Sequence, residues 1–264
     1  MTDTSPSTLL LRLAGPLQSW GTSSRWTERD TGYEPSKSGV VGILAAALGY
    51  GREADLTRLA ALKMGVRVDQ EGVPGYDFQS AGAGDDDPGI AMARDSAGII
   101  ANRRRILATG NKLLDSQRGK SSISRRYFVQ DAIFLVGLES DDSAFLAELD
   151  AALRAPVYPI GLGRRSYVPS VPIAMVPSDE LPTGIRPLPL RDALIQEPWP
   201  VAPVTDRAYR TAQGKPRRFV FEDATAPTIR NDQPIGAAFT TRVFGPRAVD
   251  FQSHRTPTEE PRHV

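Results

Sequence analysis

Arginine and lysine crowd one stretch of this chain. Between Ala101 and Gln130 lie Arg103, Arg104, Arg105, Lys112, Arg118, Lys120, Arg125 and Arg126, opposed by Asp115 alone. Acids gather elsewhere, at Asp85 to Asp87, Asp141–Asp142, Asp179–Glu180 and Glu259–Glu260, so 32 basic and 31 acidic residues leave a net charge of only +1. The distribution is more informative than the total, because a segment of one sign creates a local field that attracts phosphate. With Tyr127 and Phe128 beside it, the stretch suits a single nucleic-acid strand, whose phosphates follow the charge and whose bases stack on the rings. The bland alternative is a charged loop in solvent. Length and one-sided charge favour RNA.

Two further places could meet phosphate. In Gly161-Leu162-Gly163-Arg164-Arg165-Ser166, glycines allow close backbone approach and exposed amides, and the arginines add forked donors. A tight helix-to-strand turn with two solvated arginines explains the same residues equally well. In Pro35-Ser36-Lys37-Ser38-Gly39, a helix start carries a lysine, two hydroxyls and amides, a combination that fits an anion. Ordinary capping accounts for the serines there, and Lys37 is the surplus. Upstream, Gln18-Ser19-Trp20-Gly21 follows a first strand, with Trp20 readable as core or as pocket wall.

Other chemistries are poorly supplied. The absence of cysteine excludes disulfides, thiolate metal sites and cysteine nucleophiles, and fits a reducing compartment. The two histidines, His254 and His263, fall in a C-terminal stretch read as a tail, so no histidine base or ligand is expected inside the domain. Asp85-Asp86-Asp87-Pro88 reads as a solvated acidic loop before a cation site. Gly119-Lys120-Ser121 ends like a phosphate-binding P-loop, but Leu114 stands where that motif needs glycine. Gly161-Leu162-Gly163 starts like a dinucleotide fingerprint, but Ser166 replaces the third glycine and a helix precedes it. No cofactor and no metal is therefore expected. Met1 to Ser7 is polar, and Leu9–Leu13 and Val40–Leu48 are too short to span a bilayer, so a cytoplasmic protein without membrane contact is expected.

The elements that must position these residues follow from periodicity. Leu9 to Leu13 predicts a buried strand, Ser38 to Leu48 a helix capped by Ser36 or Ser38 and closed by Gly49, and Val66 to Val68 a second strand. Tyr76 to Ser124 has no sustained period and is too long for an ordinary connection, which marks it as a functional projection or a partly disordered segment. Tyr127 to Leu138 predicts one strand, Ser143 to Arg154 a helix with Asp150 and Arg154 paired on its outer face, and Val171 to Val176 a strand. Half of the 22 prolines lie between Pro156 and Pro203, which excludes long helices there. Phe219–Phe221 and Phe239–Phe244 predict short strands extending the sheet. The order is that of an α+β, ferredoxin-like βαββαβ unit with a projecting insertion and extra C-terminal strands. One RNA-binding domain over residues 1–250 is expected, with the insertion at about 76–124 and a flexible tail over 251–264. No internal repeat is present.

Several of these segments together resemble the CasD family. They are Leu11-Arg12-Leu13-Ala14-Gly15-Pro16-Leu17-Gln18-Ser19-Trp20-Gly21, Thr31-Gly32, Pro35-Ser36-Lys37-Ser38-Gly39-Val40-Val41-Gly42, Arg126-Tyr127-Phe128 with Asp131-Ala132-Ile133-Phe134, and Tyr158 to Ser166. They keep family order over about Leu9 to Ser170, with a weaker match near Phe239 and Phe244. The resemblance implies the subunit of the subtype I-E CRISPR surveillance complex, Cascade, that holds the 5′ handle of the guide RNA. It implies a ferredoxin-like fold in which Tyr76 to Ser124 is a thumb reaching over the guide–target duplex. It also implies capping of a filament of CasC subunits, contact with CasA, and target DNA near the thumb. By motif match Lys37, Ser38, Arg126 and the loop from Gly161 to Arg165, with Gly163 and Arg164, become candidate handle contacts. Gln18 and Trp20 shape the same pocket, while Arg103, Arg104, Arg105, Lys112, Arg118, Lys120, Arg125 and Tyr127 stay RNA-binding candidates on the charge and ring chemistry of the basic stretch alone. A subtype I-C relative cuts repeat RNA with a Tyr/Lys/His-type site, so a metal-independent endoribonuclease is the alternative. The lack of a core histidine favours a subunit without catalytic residues. A third reading is an architectural protein whose basic thumb meets acidic partners.

Overall fold

Strand β1 (Ser7–Ala14) buries Leu9, Leu11 and Leu13 in one core and Leu10 in another. A strand covered on both faces needs apolar residues at consecutive positions, hence the unbroken leucine run. The computed structural model describes residues 6–22, 27–81, 122–175, 182–198 and 216–255. The chain forms two compact units, residues 1–24, 30–75 and 127–264 in the first and 25–29 and 76–126 in the second.

After β1 come β2 (Leu17–Gln18), β3 (Glu28–Arg29) and helix α1 (Lys37–Leu48). A short α2 (Thr57–Ala60) leads to β4 (Lys63–Gln70) and β5 (Val73–Ala81). The chain resumes with β6 (Ser122–Gln130), β7 (Ile133–Ser140) and α3 (Ser143–Arg154). Next are β8 (Ile185–Arg186) and α4 (Leu190–Gln196). Last come β9 (Arg217–Glu222), β10 (Thr228–Pro234), α5 (Ala238–Thr241) and β11 (Phe244–His254).

In the first unit, seven strands form one antiparallel sheet in the order β10-β11-β9-β4-β7-β1-β8. On one face α1 and α3 bring Val40, Ile43, Leu44, Phe145 and Leu149 onto Leu9, Leu11, Val66 and Val136. On the other, Leu190 and Leu194 of α4 meet Leu10, Leu135, Phe219 and Phe221. Arg67, fully buried on β4, pairs with Asp69 at 2.6 Å and donates to the carbonyls of Leu194 and Glu197 at 2.8 and 2.5 Å, satisfying the end of α4. A smaller sheet centres on β6: β2 pairs with Val129 and Gln130 in the first unit, and β3 with Arg125 and Arg126 in the second. β5 also pairs with β6.

The mixed α+β class, the strands at Leu9, Val66 and Phe219, and both long helices stand as expected. Other elements differ. The segment Tyr127 to Leu138 is two strands in two sheets, broken at Asp131, whose φ of 53° lies in the left-handed region that aspartate tolerates. Instead of a strand at Val171–Val176, a single bridge joins Ala174 to Leu11, and β8 takes the place beside β1. Proline at 169 and 172 removes the ladder donors that a strand there needs. Phe239 lies in α5, which ends at Arg242 with φ 57°, and only Phe244 enters a strand. The ends of the expected irregular insertion are strands, since β5 runs to Ala81 and β6 starts at Ser122. Phe251 to His254, expected in a tail, instead pair with Val220 to Arg217 on β9; the rest of that expected tail, from 256, lies outside the described residues. Asp150 and Arg154 do pair, at 2.9 Å, but Asp150 is buried and also accepts from the Gly184 amide at 3.1 Å. That bond ties the approach to β8 onto α3.

Candidate functional site

Helix α1 starts where three layers meet. Ser36 caps it, its Oγ accepting from the Gly39 amide at 3.3 Å, and Gly49 closes it with φ 76°. Trp20, 1% exposed, lies directly against this first turn: a Cβ on Gly39 would stand 2.8 Å from Trp20 Cε3. Glycine at 39 is therefore a packing requirement. Trp20 Nε1 donates to Gln18 Oε1 at 3.2 Å, and Gln18 Nε2 donates to the Ala132 carbonyl at 2.7 Å. Gln18 and Trp20 are thus the buried support of the site rather than ligands on its surface.

The glycine loop docks on the same support. Gly163 has φ 86°, and a Cβ there would fall 1.7 Å from the Ser19 carbonyl oxygen. The Ser19 amide donates to the Leu162 carbonyl at 3.0 Å, and Leu162 is fully buried. The close approach that the glycines permit is within the protein, Gly163 toward the Ser19 carbonyl and Gly161 toward the Arg164 carbonyl. Arg164 is half committed to the fold: it donates to the Tyr127 carbonyl at 2.9 Å and to the Tyr167 hydroxyl at 2.7 Å. Arg165 is exposed and makes no ion pair among the described residues. Of the two readings of this loop, the tight turn explains the glycines, and Arg165 remains as a cation aimed outward.

Between loop and helix lies an open pocket of about 260 Å³. It is lined by the polar and charged Ser38, Arg164 and Arg165, by Gly39, Gly42, Gly161 and Gly163, and by the apolar Ile43, Pro159 and Phe239. Five residues singled out in the sequence, Ser38, Gly161, Gly163, Arg164 and Arg165, are brought together here. Tyr127 contributes through its carbonyl, which also accepts from Ser19 Oγ at 3.1 Å. Arg125 and Arg126 belong to the second unit: Arg125 is exposed with a loose ion pair to Glu28 at 3.8 Å, and Arg126 Nε donates to Ser124 Oγ at 3.5 Å. Arg103, Arg104, Arg105, Lys112, Arg118 and Lys120 lie outside the described residues, as do the Asp85–Asp87 run and His263.

Lys37 overturns its expected role. It is 1% exposed, and its Nζ donates to both oxygens of Glu222, at 3.1 and 2.9 Å. Its amide donates to Asp232 Oδ2 at 2.8 Å, so two amides of the first turn, at Lys37 and Gly39, already have protein acceptors. Sequence spacing could not reveal this, since the partners are 185 and 195 positions away. Around it, Arg247 forks onto Asp232 at 2.9 and 2.8 Å, and Glu34, two residues before the cap, accepts from Arg218 at 2.5 Å and from Arg230. Burial alone would raise the Glu34 carboxyl, but Arg230 and Arg218 hold it below the usual carboxylate range. Asp232 is likewise lowered against its burial, by Arg247 and by the Lys37 amide. Burial pushes the Lys37 ammonium down, with Glu222 opposing. These groups from β9, β10 and β11 fix the entry to α1. His254, in β11, packs edge-on to Phe219 and shares a hydrogen bond with Gln252.

Among the described residues no cluster of three or more His, Cys, Asp or Glu is arranged to hold a metal ion. No helix among them is long and apolar enough to cross a membrane. Fold and pocket together define an α+β protein with a large antiparallel sheet, presenting a pocket lined by two arginines and several apolar residues between its first long helix and a glycine loop. Residues 8–250 match the family described as CRISPR-associated protein (Cas_Cas5), and the chain belongs to that family. It is 32% identical over 173 residues to the CRISPR system Cascade subunit CasD of Escherichia coli (strain K12); the match covers 61% of this chain and 66% of that relative, just under two thirds of its length. A crystal structure of a Cas protein matches with a TM-score of 0.65 and 36% identity over 94% of this chain and 95% of that one. A chain from a CRISPR RNA-guided surveillance complex also matches with a TM-score of 0.65, at 26% identity, over 97% and 94%.

Proposed function

We propose that this chain is a subunit of a Cascade-type CRISPR RNA-guided surveillance complex that holds the 5′ handle of the guide RNA and has no catalytic step of its own. The observation that carries this reading is the convergence of Ser38, Arg164 and Arg165 around one pocket beside the glycine loop. Its likeness to CasD and to a surveillance-complex chain supplies the context. The strand order β8-β1-β7-β4, with α1 and α3 on one face, supports a ferredoxin-like unit at the centre of the sheet. The compact unit of residues 25–29 and 76–126 supports the reading of that insertion as a thumb. In this arrangement the subunit caps a filament of CasC, contacts CasA, and brings its thumb near target DNA, within the cytoplasm.

The endoribonuclease alternative draws on a lysine, tyrosine or histidine beside the RNA. Lys37 instead faces Glu222, and His254 sits against Phe219, which speaks against that mechanism. The test is a titration of purified protein against labelled repeat RNA at several salt concentrations, followed by a gel. Intact RNA and an affinity that falls with salt, at a slope of roughly −0.7 per phosphate contact, are expected. Discrete metal-independent cleavage, or affinity indifferent to salt, overturns the reading.

A further inference from the structure

We infer that the face of the seven-stranded sheet covered by α4 holds a phosphate group on Arg12, at a site separate from the pocket beside the glycine loop. Cross-strand register puts Arg12 of β1, Leu135 of β7, Arg67 of β4 and Phe219 of β9 in one row across that face. Leu135 and Phe219 belong to the apolar core under α4, and the arginines begin its polar end. There Asp69 accepts from Arg67 at 2.6 and 3.3 Å and lies 3.8 Å from Arg217. Glu197, just past the end of α4, accepts from Arg186 at 2.8 and 3.0 Å. Both oxygens of each carboxylate are thus forked by another guanidinium.

Arg12 is left over. It is half-buried, its side chain makes no hydrogen bond among the described residues, and its Nε is sealed from water. Burial pushes its guanidinium down, Asp69 and Glu197 oppose this, and Arg67 adds to it. A buried donor without an acceptor costs free energy, and a guanidinium fork matches the paired oxygens of an oxyanion. Phosphate suits the place better than a carboxylate does. It has oxygens to spare for a second donor, and its greater charge offsets more of the excess that Arg12, Arg67 and Arg217 gather around Asp69. The site stands whether or not the chain binds RNA.

The experiment follows thermal unfolding of the full chain while inorganic phosphate replaces chloride at constant ionic strength. The wild-type midpoint is expected to rise and then follow the mass-action curve of one site, by roughly 5–10 °C at a hundredfold excess over the Kd. Arg12→Met keeps the stem and removes the charge. It is expected to unfold no earlier than wild type in chloride, because an unsatisfied charge is gone, and to show no response to phosphate. If Arg12→Met does not fold, Arg12→Lys carries the test: without the fork it needs about tenfold more phosphate for the same rise. An equal rise in wild type and either variant is the general effect of an excluded salt and overturns the site. So does an Arg12→Met whose loss of stability is the same in chloride and in phosphate, since Arg12 is then a structural cation. Repeating the wild-type titration with saturating repeat RNA assigns the source of the phosphate. A midpoint that phosphate no longer moves means that the RNA backbone fills the site, whereas additive shifts mean a free phosphate. If wild type binds no RNA, the proposed function fails and the phosphate response still decides the site.

Discussion

Lys37 Nζ lies 3.1 and 2.9 Å from the two carboxylate oxygens of Glu222, joining the first turn of α1 to the end of β9 with the ammonium sealed from water. The most ligand-like residue of the sequence is thereby a structural cation. Breaking such a pair leaves an uncompensated charge, which costs about 3–5 kcal/mol when both partners are fully buried. Glu222 keeps 23% of its side chain exposed, so the loss in Lys37→Ala is expected toward the lower end of that range. Urea unfolding checks it. An unchanged midpoint with a large drop in RNA affinity would return Lys37 to the role its spacing implied.

The carboxylates behind α1 make stability depend on acid. Glu34 and Asp232 are both held below the usual carboxylate range, Glu34 by Arg230 and Arg218, Asp232 by Arg247 and the Lys37 amide, against the opposing effect of burial. A folded-state value below the unfolded one means stability present above the unfolded pKa, about 4, and lost as pH falls through the folded value. The urea midpoint is therefore expected to be flat above about pH 5 and to fall below it. Glu34→Gln is expected to lower the neutral-pH midpoint and to flatten the acid limb, because one linked proton is removed. An acid limb as steep as that of wild type would show that Glu34 does not titrate as its arginine partners require.

Gly163 has no room for another residue. With φ 86° and a Cβ that would lie 1.7 Å from the Ser19 carbonyl, Gly163→Ala must move either the loop or the strand end that carries Ser19. Gly51, whose Cβ would meet nothing within 4 Å, is the matched control. Thermal unfolding of the two alanine variants is expected to show a clear loss for Gly163→Ala and a change within about 0.5 kcal/mol for Gly51→Ala. Equal melting temperatures would mean that the loop is not seated on Ser19.

Local pattern made much of this fold legible. The leucine run of β1, the Ser36 cap and the Gly49 stop of α1, and the apolar spacing of α3 are each decided within a dozen residues, and each stands where the sequence places it. Asp131 shows the limit, since nothing in Tyr127–Leu138 announces a left-handed turn between two apolar runs that pair in different sheets. At the site, Ser38 and the Gly161–Arg165 loop were recognisable because motif and chemistry coincide in a few positions. Phe239 was not, because α5 reaches the pocket from a distant segment that had the look of a strand. The same long-range closure hides the partners of Lys37 and Glu34, whose acids and arginines come from β9, β10 and β11.

Adjacent arginines in the glycine loop separate folding from binding. Arg164 donates two hydrogen bonds inside the protein, to the Tyr127 carbonyl and the Tyr167 hydroxyl, and its guanidinium lies 5.2 Å from the Tyr167 ring centre. Hydrogen bonds to charged groups are worth about 1.5–3 kcal/mol, so Arg164→Ala is expected to lose stability of that order as well as affinity. Arg165 has no such partner among the described residues, and its removal leaves no buried group unsatisfied. Arg165→Ala is expected to unfold like wild type, within about 0.5 kcal/mol, while its RNA affinity drops and its salt slope becomes shallower by about 0.7, the value of one phosphate contact on a single strand. Lysine at 165 restores the slope, because charge suffices there, whereas lysine at 164 does not restore stability, because one ammonium cannot reach both acceptors in the geometry of the fork. If Arg165→Ala binds RNA with wild-type affinity and slope, the loop meets no phosphate, and its arginines serve the turn alone.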